Sequence, residues 1–147
     1  MKQIHLLFLL LTTILSLMGI VSCKDKVITA EKLPATAKSF IEEHFPGNPV
    51  SFVKKEAKLA GATYETILKD GTEIEFDAKG EWDKVDCKRQ AVPSGLVPAA
   101  IAEYIQSNFS GQFIVMIDKE PFGTEIELDN DLELKYDKQG RLMNIDD

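Results

Sequence analysis

Glutamates carry most of the reactive chemistry in this chain, and several recur at a spacing of two: Glu73 with Glu75, and Glu125 with Glu127, flanked by Glu65 and Glu133. On a strand, that spacing puts side chains on one face. Carboxylates so placed could act as a general acid–base pair, touch a cation, or form an acidic docking surface. Other reactive groups are sparse. There are two histidines, His5 and His44, and two cysteines, Cys23 and Cys87. A nucleophile needs a positioned base beside it. His44 ends a helical pattern, where its charge would gain from the helix dipole rather than serve catalysis. Ser94-Gly95 and Ser110-Gly111 fall in a linker and a helix exit, not in a strand-to-helix elbow. Asp129-Asn130-Asp131 could touch calcium but lacks the spaced ligands and distal glutamate of a calcium loop. The sequence contains no Gly-rich phosphate loop and no CxxC pair. No catalytic residue, metal ligand or cofactor is assigned from these residues.

The elements that must position the glutamates begin after an address segment. Lys2 opens it, and Leu6–Leu11 and Ile14–Met18 form an apolar stretch broken by Thr12 and Thr13. That stretch is short for a spanning helix and fits a signal peptide. It ends Ile20-Val21-Ser22-Cys23, which resembles a bacterial lipobox. The resemblance implies cleavage before Cys23 and lipid on that cysteine, so residues 1–22 are the leader and 23–32 an anchor and tether. At least two acyl chains are needed for stable anchoring, and a lipoprotein has them. The expected location is the cell envelope, on the periplasmic side of the outer membrane or the cell surface. Losing Lys2 makes the mature chain one unit more negative than the −7 of all 147 residues. That charge argues against nucleic acid, which needs a basic face. With Cys23 lipidated, Cys87 is left as a lone thiol, best read as a small buried apolar residue.

The remainder is one unit written twice. Leu33-Pro34-Ala35 through Phe45-Pro46-Gly47 lines up without a gap with Val97-Pro98-Ala99 through Phe109-Ser110-Gly111. Glu73-Ile74-Glu75-Phe76-Asp77 lines up with Glu133-Leu134-Lys135-Tyr136-Asp137. The first repeat covers 33–88, a linker 89–96 and the second repeat 97–147. Each opens with a helix whose apolar stripe is Leu33, Ala37, Phe40, Ile41 and Phe45, or Val97, Ile101, Tyr104, Ile105 and Phe109. Pro34 and Pro98 suit a first helical turn, and Gly47 and Gly111 suit a left-handed exit. Four strands follow each helix: Val50–Ala57, Thr63–Leu68, Thr72–Phe76 and Trp82–Cys87, then Phe113–Asp118, Thr124–Leu128, Leu132–Tyr136 and Arg141–Ile145. Short connections make each set an antiparallel meander. The expected fold class is α+β: two tandem units, each one helix plus a four-stranded sheet, helices on one face and an open, concave sheet face on the other.

Hairpin chemistry sets the register. Three-residue loops, Lys69-Asp70-Gly71 and Asp129-Asn130-Asp131, pair Leu68 with Thr72 and Leu128 with Leu132. Tyr64, Thr66, Leu68, Ile74 and Phe76 then face inward, as do Ile126, Leu128, Leu132, Leu134 and Tyr136. Glu65, Ile67, Glu73, Glu75, Glu125, Glu127, Glu133 and Lys135 face out. Like charges on neighbouring strands repel, so such a face is poorly stable alone. It is either a solvated face kept soluble by charge or a docking surface for a basic partner. Trp82 has parity opposite to Val85 and Cys87, which makes it a turn plug or an aromatic anchor beside the glutamates.

The pattern Leu-Pro…Phe-Ile…Phe-Pro-Gly, then Tyr-Glu…Asp-Gly-Thr-Glu-Ile-Glu-Phe-Asp…Gly-Glu-Trp…Val-Asp, resembles the PepSY-like, β-lactamase-inhibitor-protein-like family of secreted proteins and lipoproteins, common in Bacteroidota. The likeness runs from Ile28 to Asp147. It is looser in the second copy, where Asp131, Leu132, Tyr136 and Leu142 replace Gly71, Thr72, Phe76 and Trp82. It implies tandem units whose sheets form one concave surface, used for protein binding or inhibition. The expectation is a monomeric, non-enzymatic envelope lipoprotein that binds a protein or peptide with a basic surface through Glu65, Glu73, Glu75, Trp82, Glu125, Glu127 and Glu133, with Cys23 as the lipid site. A small hydrolase using paired glutamates and a cation-binding or structural envelope protein are the alternatives.

Overall fold

A computed structural model describes residues 25–59 and 61–146. The leader and Cys23 lie outside the described residues. Nine antiparallel strands form a single open sheet in chain order: β1 Lys26–Ile28, β2 Val50–Lys58, β3 Gly61–Leu68, β4 Glu73–Phe76, β5 Trp82–Asp86, β6 Ile114–Glu120, β7 Gly123–Leu128, β8 Glu133–Asp137 and β9 Leu142–Asp146. Two helices, α1 Ala35–His44 and α2 Ala99–Asn108, cover one face.

The sheet departs from the expectation of two four-stranded units. β5 pairs with β6 through Lys84↔Asp118, Val85↔Ile117 and Asp86↔Met116, so the two halves share one hydrogen-bonded ladder. One row of inward side chains crosses all nine strands: Ile28, Val53, Thr66, Ile74, Val85, Ile117, Ile126, Leu134 and Ile145. Apolar area buried along a continuous row favours continuity, because interrupting the sheet at β5–β6 would expose Val85 and Ile117. β1 is a second departure. Part of the expected tether, Lys26–Ile28, is an edge strand on β2, followed by a 3-10 turn at Ala30–Lys32.

The helices are as patterned. Leu33, Ala37 and Ile41 bury one stripe, and Ile101 and Ile105 bury the other. Pro34 and Pro98 sit one step before the first turn, at the cap positions. Gly47 and Gly111 take φ of +78° and +90°, the left-handed exit that the sequence requires. The three-residue hairpins also form: the Leu68 and Leu128 amides donate to the Thr72 and Leu132 carbonyls. Gly71 and Asp131 occupy the left-handed third loop position, a conformation aspartate tolerates better than most side chains. Gly123 answers a different demand. A Cβ there would lie 1.7 Å from the Tyr136 carbonyl oxygen, so β7 and β8 can close only over a bare α-carbon.

Register shifts interrupt four strand pairs, at Val50/Phe52, Glu75/Phe76, Ile114/Met116 and Lys135/Tyr136. The shift opposite Glu75/Phe76 inserts Asp83 as an extra residue in β5, so Trp82 pairs with Phe76 and joins the helix side. Trp82 is therefore not on the open face. It packs on Phe40 of α1, with ring centroids 6.0 Å apart, while Phe40 also meets Phe76 edge-on. Leu142 takes the corresponding place opposite Tyr136, where α2 contributes Tyr104. Cys87 is buried, and burial pushes its thiol pKa up to about 11. Among the described residues no helix is long and apolar enough to cross a membrane.

Candidate binding face

The uncovered side of the sheet carries two rows of side chains flanking the buried one. The first runs Lys54, Glu65, Glu75, Lys84, Asp118, Glu125, Lys135, Asn144 across β2 to β9. The second runs Phe52, Ile67, Glu73, Asp86, Met116, Glu127, Glu133, Asp146. All six glutamates expected on this side stand in these rows, with Ile67 and Lys135. Trp82 is the expected site residue that does not.

The two rows differ in charge. In the first, one lysine follows every pair of acids. Lys54 lies 3.6 Å from Glu65, Lys84 3.6 Å from Asp118, and Lys135 3.5 Å from Glu125. The second row has no lysine of its own. Lys88, just past β5, reaches Glu73 at 3.0 Å and Asp86 at 2.7 Å, and Lys135 reaches Asp146 at 3.6 Å. Among the described residues Glu75, Glu127 and Glu133 form no ion pair within 4 Å. Exposed pairs of this kind stabilise a fold by roughly 0–1 kcal/mol each, so their effect is on the pattern of charge more than on stability.

Crowding shows in the carboxylates. Burial raises the pKa of Glu75, against the pull of Lys84 and with help from Asp118 and Glu65. Burial likewise raises Asp118, with Glu125 adding to it. Burial raises Glu127 too, and Asp86, Asp131 and Glu133 add repulsion. Met116, only 5% exposed on this side, is roofed by its charged neighbours and gives the second row an apolar floor. Beside the middle of that row a polar hollow of about 400 Å³ opens between Asp86, Lys88, Arg89, Glu127, Asp129 and Asp131.

Strand alternation on the central strands locates the glutamates but only half of the face. Lys54, Asp86, Asp118 and Met116 follow from the same alternation carried outward onto β2, β5 and β6. The Asp129-Asn130-Asp131 loop, too poor in spaced ligands for a calcium loop, braces the neighbouring segment: the Asp129 carboxylate accepts the Phe113 amide at 3.1 Å. Among the described residues no group of three or more His, Cys, Asp and Glu side chains is placed to hold a metal ion. In the hollow, burial and the neighbouring acids raise the pKa of Glu127, which faces Asp86, Asp129 and Asp131. His44 packs its ring on Phe40 at 4.7 Å, a structural contact at the end of α1.

Comparisons with known proteins agree with this architecture. The pattern of a family provisionally described as beta-lactamase-inhibitor-like, PepSY-like matches residues 19–59 and 62–144. A solved structure from Bacteroides vulgatus, provisionally described as a periplasmic protein of the DUF2874 family, is 37% identical. It superposes with a TM-score of 0.79 over 88% of this chain and 100% of its own. A second from Bacteroides vulgatus, provisionally described as a periplasmic protein of unknown function, is 37% identical, with a TM-score of 0.80 over 84% of this chain and 100% of its own. A third, from Bacteroides thetaiotaomicron and provisionally described as a calcium-regulated periplasmic protein, is 36% identical, with a TM-score of 0.78 over 84% of this chain and 97% of its own. No curated protein matches. No enzyme family is indicated by any of these likenesses. The chain belongs to the PepSY-like, beta-lactamase-inhibitor-like family.

Proposed function

We propose that this protein is a non-enzymatic lipoprotein of the cell envelope, anchored through Cys23, that binds a protein or peptide partner with its uncovered sheet face. Periplasmic relatives support the compartment, and the family's inhibitor-like description supports binding, with inhibition of an enzyme as one form it takes. The observation that carries the reading is the second row: Glu127 and Glu133 stand side by side in register, without ion pairs among the described residues, over the buried Met116. A fold selected only for stability gains nothing from adjacent unpaired acids. A basic partner would relieve their repulsion and convert it into affinity and fast, salt-dependent association.

The test is capture from envelope extracts with the full chain at low and high salt, identification of the captured protein, and titration of that protein against a Glu127→Lys, Glu133→Lys double variant. Loss of capture with an unchanged melting temperature supports the reading. Capture indifferent to both charge reversal and salt ends it.

A second reading, a calcium-responsive protein, draws on the description of the Bacteroides thetaiotaomicron relative. Calcium titration of the melting temperature tests it, since a ligand that binds only the folded state raises stability.

A further inference from the structure

The two ends of the sheet differ in chemistry. Lys26 pairs with Lys55 and Ile28 with Val53, so the chain enters β1 at the end where β2 turns into β3. The same end holds the β6–β7 hairpin and the β4–β5 and β8–β9 turns. Two large apolar side chains stand at its hairpin tips: Leu59, fully exposed, and Phe122, 83% exposed. Neither touches the core, and neither helps the fold by standing in water.

Exposed basic side chains share this end of the sheet: Lys79 and Lys138, with Lys58 paired to Glu56 and Arg141 paired to Asp137. Several acids at this end are already engaged. Asp77 accepts the amides of Lys79 and Glu81. Asp137 accepts those of Gln139 and Arg141 and pairs with the Arg141 guanidinium. Glu56 pairs with Lys54 and Lys58. Glu81, Asp83 and Glu120 remain as opposing charge. At the other end lie Asp70, Asp129 and Asp131, the second acidic row and the polar hollow. Apolar tips carried with lysines at one end of a sheet suit a bilayer interface, where hydrocarbon is buried among acyl chains and ammonium groups meet phosphates.

The entry point says where a bilayer would be. Asp25 sits 3.4 Å from the Lys54 ammonium, four residues below Lys58 on β2. Cys23 is two residues before Asp25. Two residues reach at most about 7 Å, so lipid on Cys23 would hold this end of the sheet against the membrane.

We propose that the hairpin end rests on a bilayer surface, with Leu59 and Phe122 inserted at the interface and the acidic row held away from it. The inference rests on the anchoring of Cys23 argued above, and the experiment separates the two. The full chain is expressed in a host that processes lipoproteins, purified in detergent and returned to vesicles of phosphatidylethanolamine and phosphatidylglycerol. A bimane probe is attached at Leu59→Cys, Phe122→Cys or Asn130→Cys, all exposed positions, while the buried Cys87 stays unlabelled. Incorporation of labelled palmitate is read on the same samples. The expected result is a blue shift and loss of emission to spin-labelled lipid at positions 59 and 122, with neither at 130. Palmitate incorporation with identical emission at all three positions overturns the docking and leaves the anchor standing. Shielded tips without palmitate support the docking and overturn the anchor. Absence of both overturns both.

Discussion

Val85 and Ile117 face each other across the β5–β6 seam, 0% and 1% exposed, at the centre of the row that runs from Ile28 to Ile145. Their contact should make the two repeated halves one folding unit. Ile117→Ala should cost about 3 kcal/mol through lost burial and an unfilled cavity. Both wild type and variant should melt in a single calorimetric transition. Two separable transitions would show that the halves are thermodynamically independent despite the shared ladder.

Trp82 should report packing rather than docking. Its ring lies beneath the Lys119 ammonium, 3.4 Å from the centroid, and its carbonyl accepts from the same ammonium at 2.9 Å. Lys119→Met should shift the emission of the sole tryptophan and cost about 1 kcal/mol. A bound partner on the acidic rows should leave that emission unchanged, because Trp82 is on the helix side. A large change on binding would place the contact elsewhere.

Stability should pass through a maximum in mild acid. Glu75, Asp118 and Glu127 have pKa values raised above the ordinary carboxylate range, so the folded chain takes up their protons before the unfolded chain does. Lowering pH from neutrality through those raised values therefore adds stability. Asp137 behaves oppositely. The Arg141 amide holds its pKa low, and the stability that its ionised form contributes is lost as pH falls below the ordinary range. Urea midpoints at pH 7, 5 and 3 check this, with the highest expected at the middle value. A monotonic decline would show that the crowded acids do not destabilise the fold. In Glu75→Gln the rise on acidification should be smaller.

Cys87 should resist thiol reagents in the folded chain. With a pKa of about 11, only about one molecule in a thousand carries thiolate at pH 8, and the sulfur is buried as well. Ellman's reagent should react at the rate of global opening and promptly after urea is added. Prompt reaction without denaturant would mean that the segment around Cys87 opens locally.

Much of this architecture is legible in local chemistry. A 3.6-residue stripe marks α1 and α2, and the glycines and aspartates of the three-residue loops fix hairpin register. Once Leu68 is tied to Thr72, and Leu128 to Leu132, strand alternation delivers Glu65, Glu73, Glu75, Glu125, Glu127 and Glu133 to one face. What stays hidden is non-local or one residue long. β1 has three residues and owes its existence to β2. The seam joins strands separated by a helix. The bulge at Asp83 leaves no compositional mark, yet it alone moves Trp82 from one side of the sheet to the other. The lysines of the first row are visible to the same alternation, but their importance depends on which strands become neighbours.

The hydrogen at the Gly123 α-carbon works as a latch. With the Tyr136 carbonyl oxygen closed over it, sliding β8 by one residue would bring a different peptide group against that spot and turn Leu134 and Tyr136 toward water. The second half of the sheet is thus keyed to one alignment at its far end as well as by its hairpin loop, and the charged rows on the other side inherit their order from that fit.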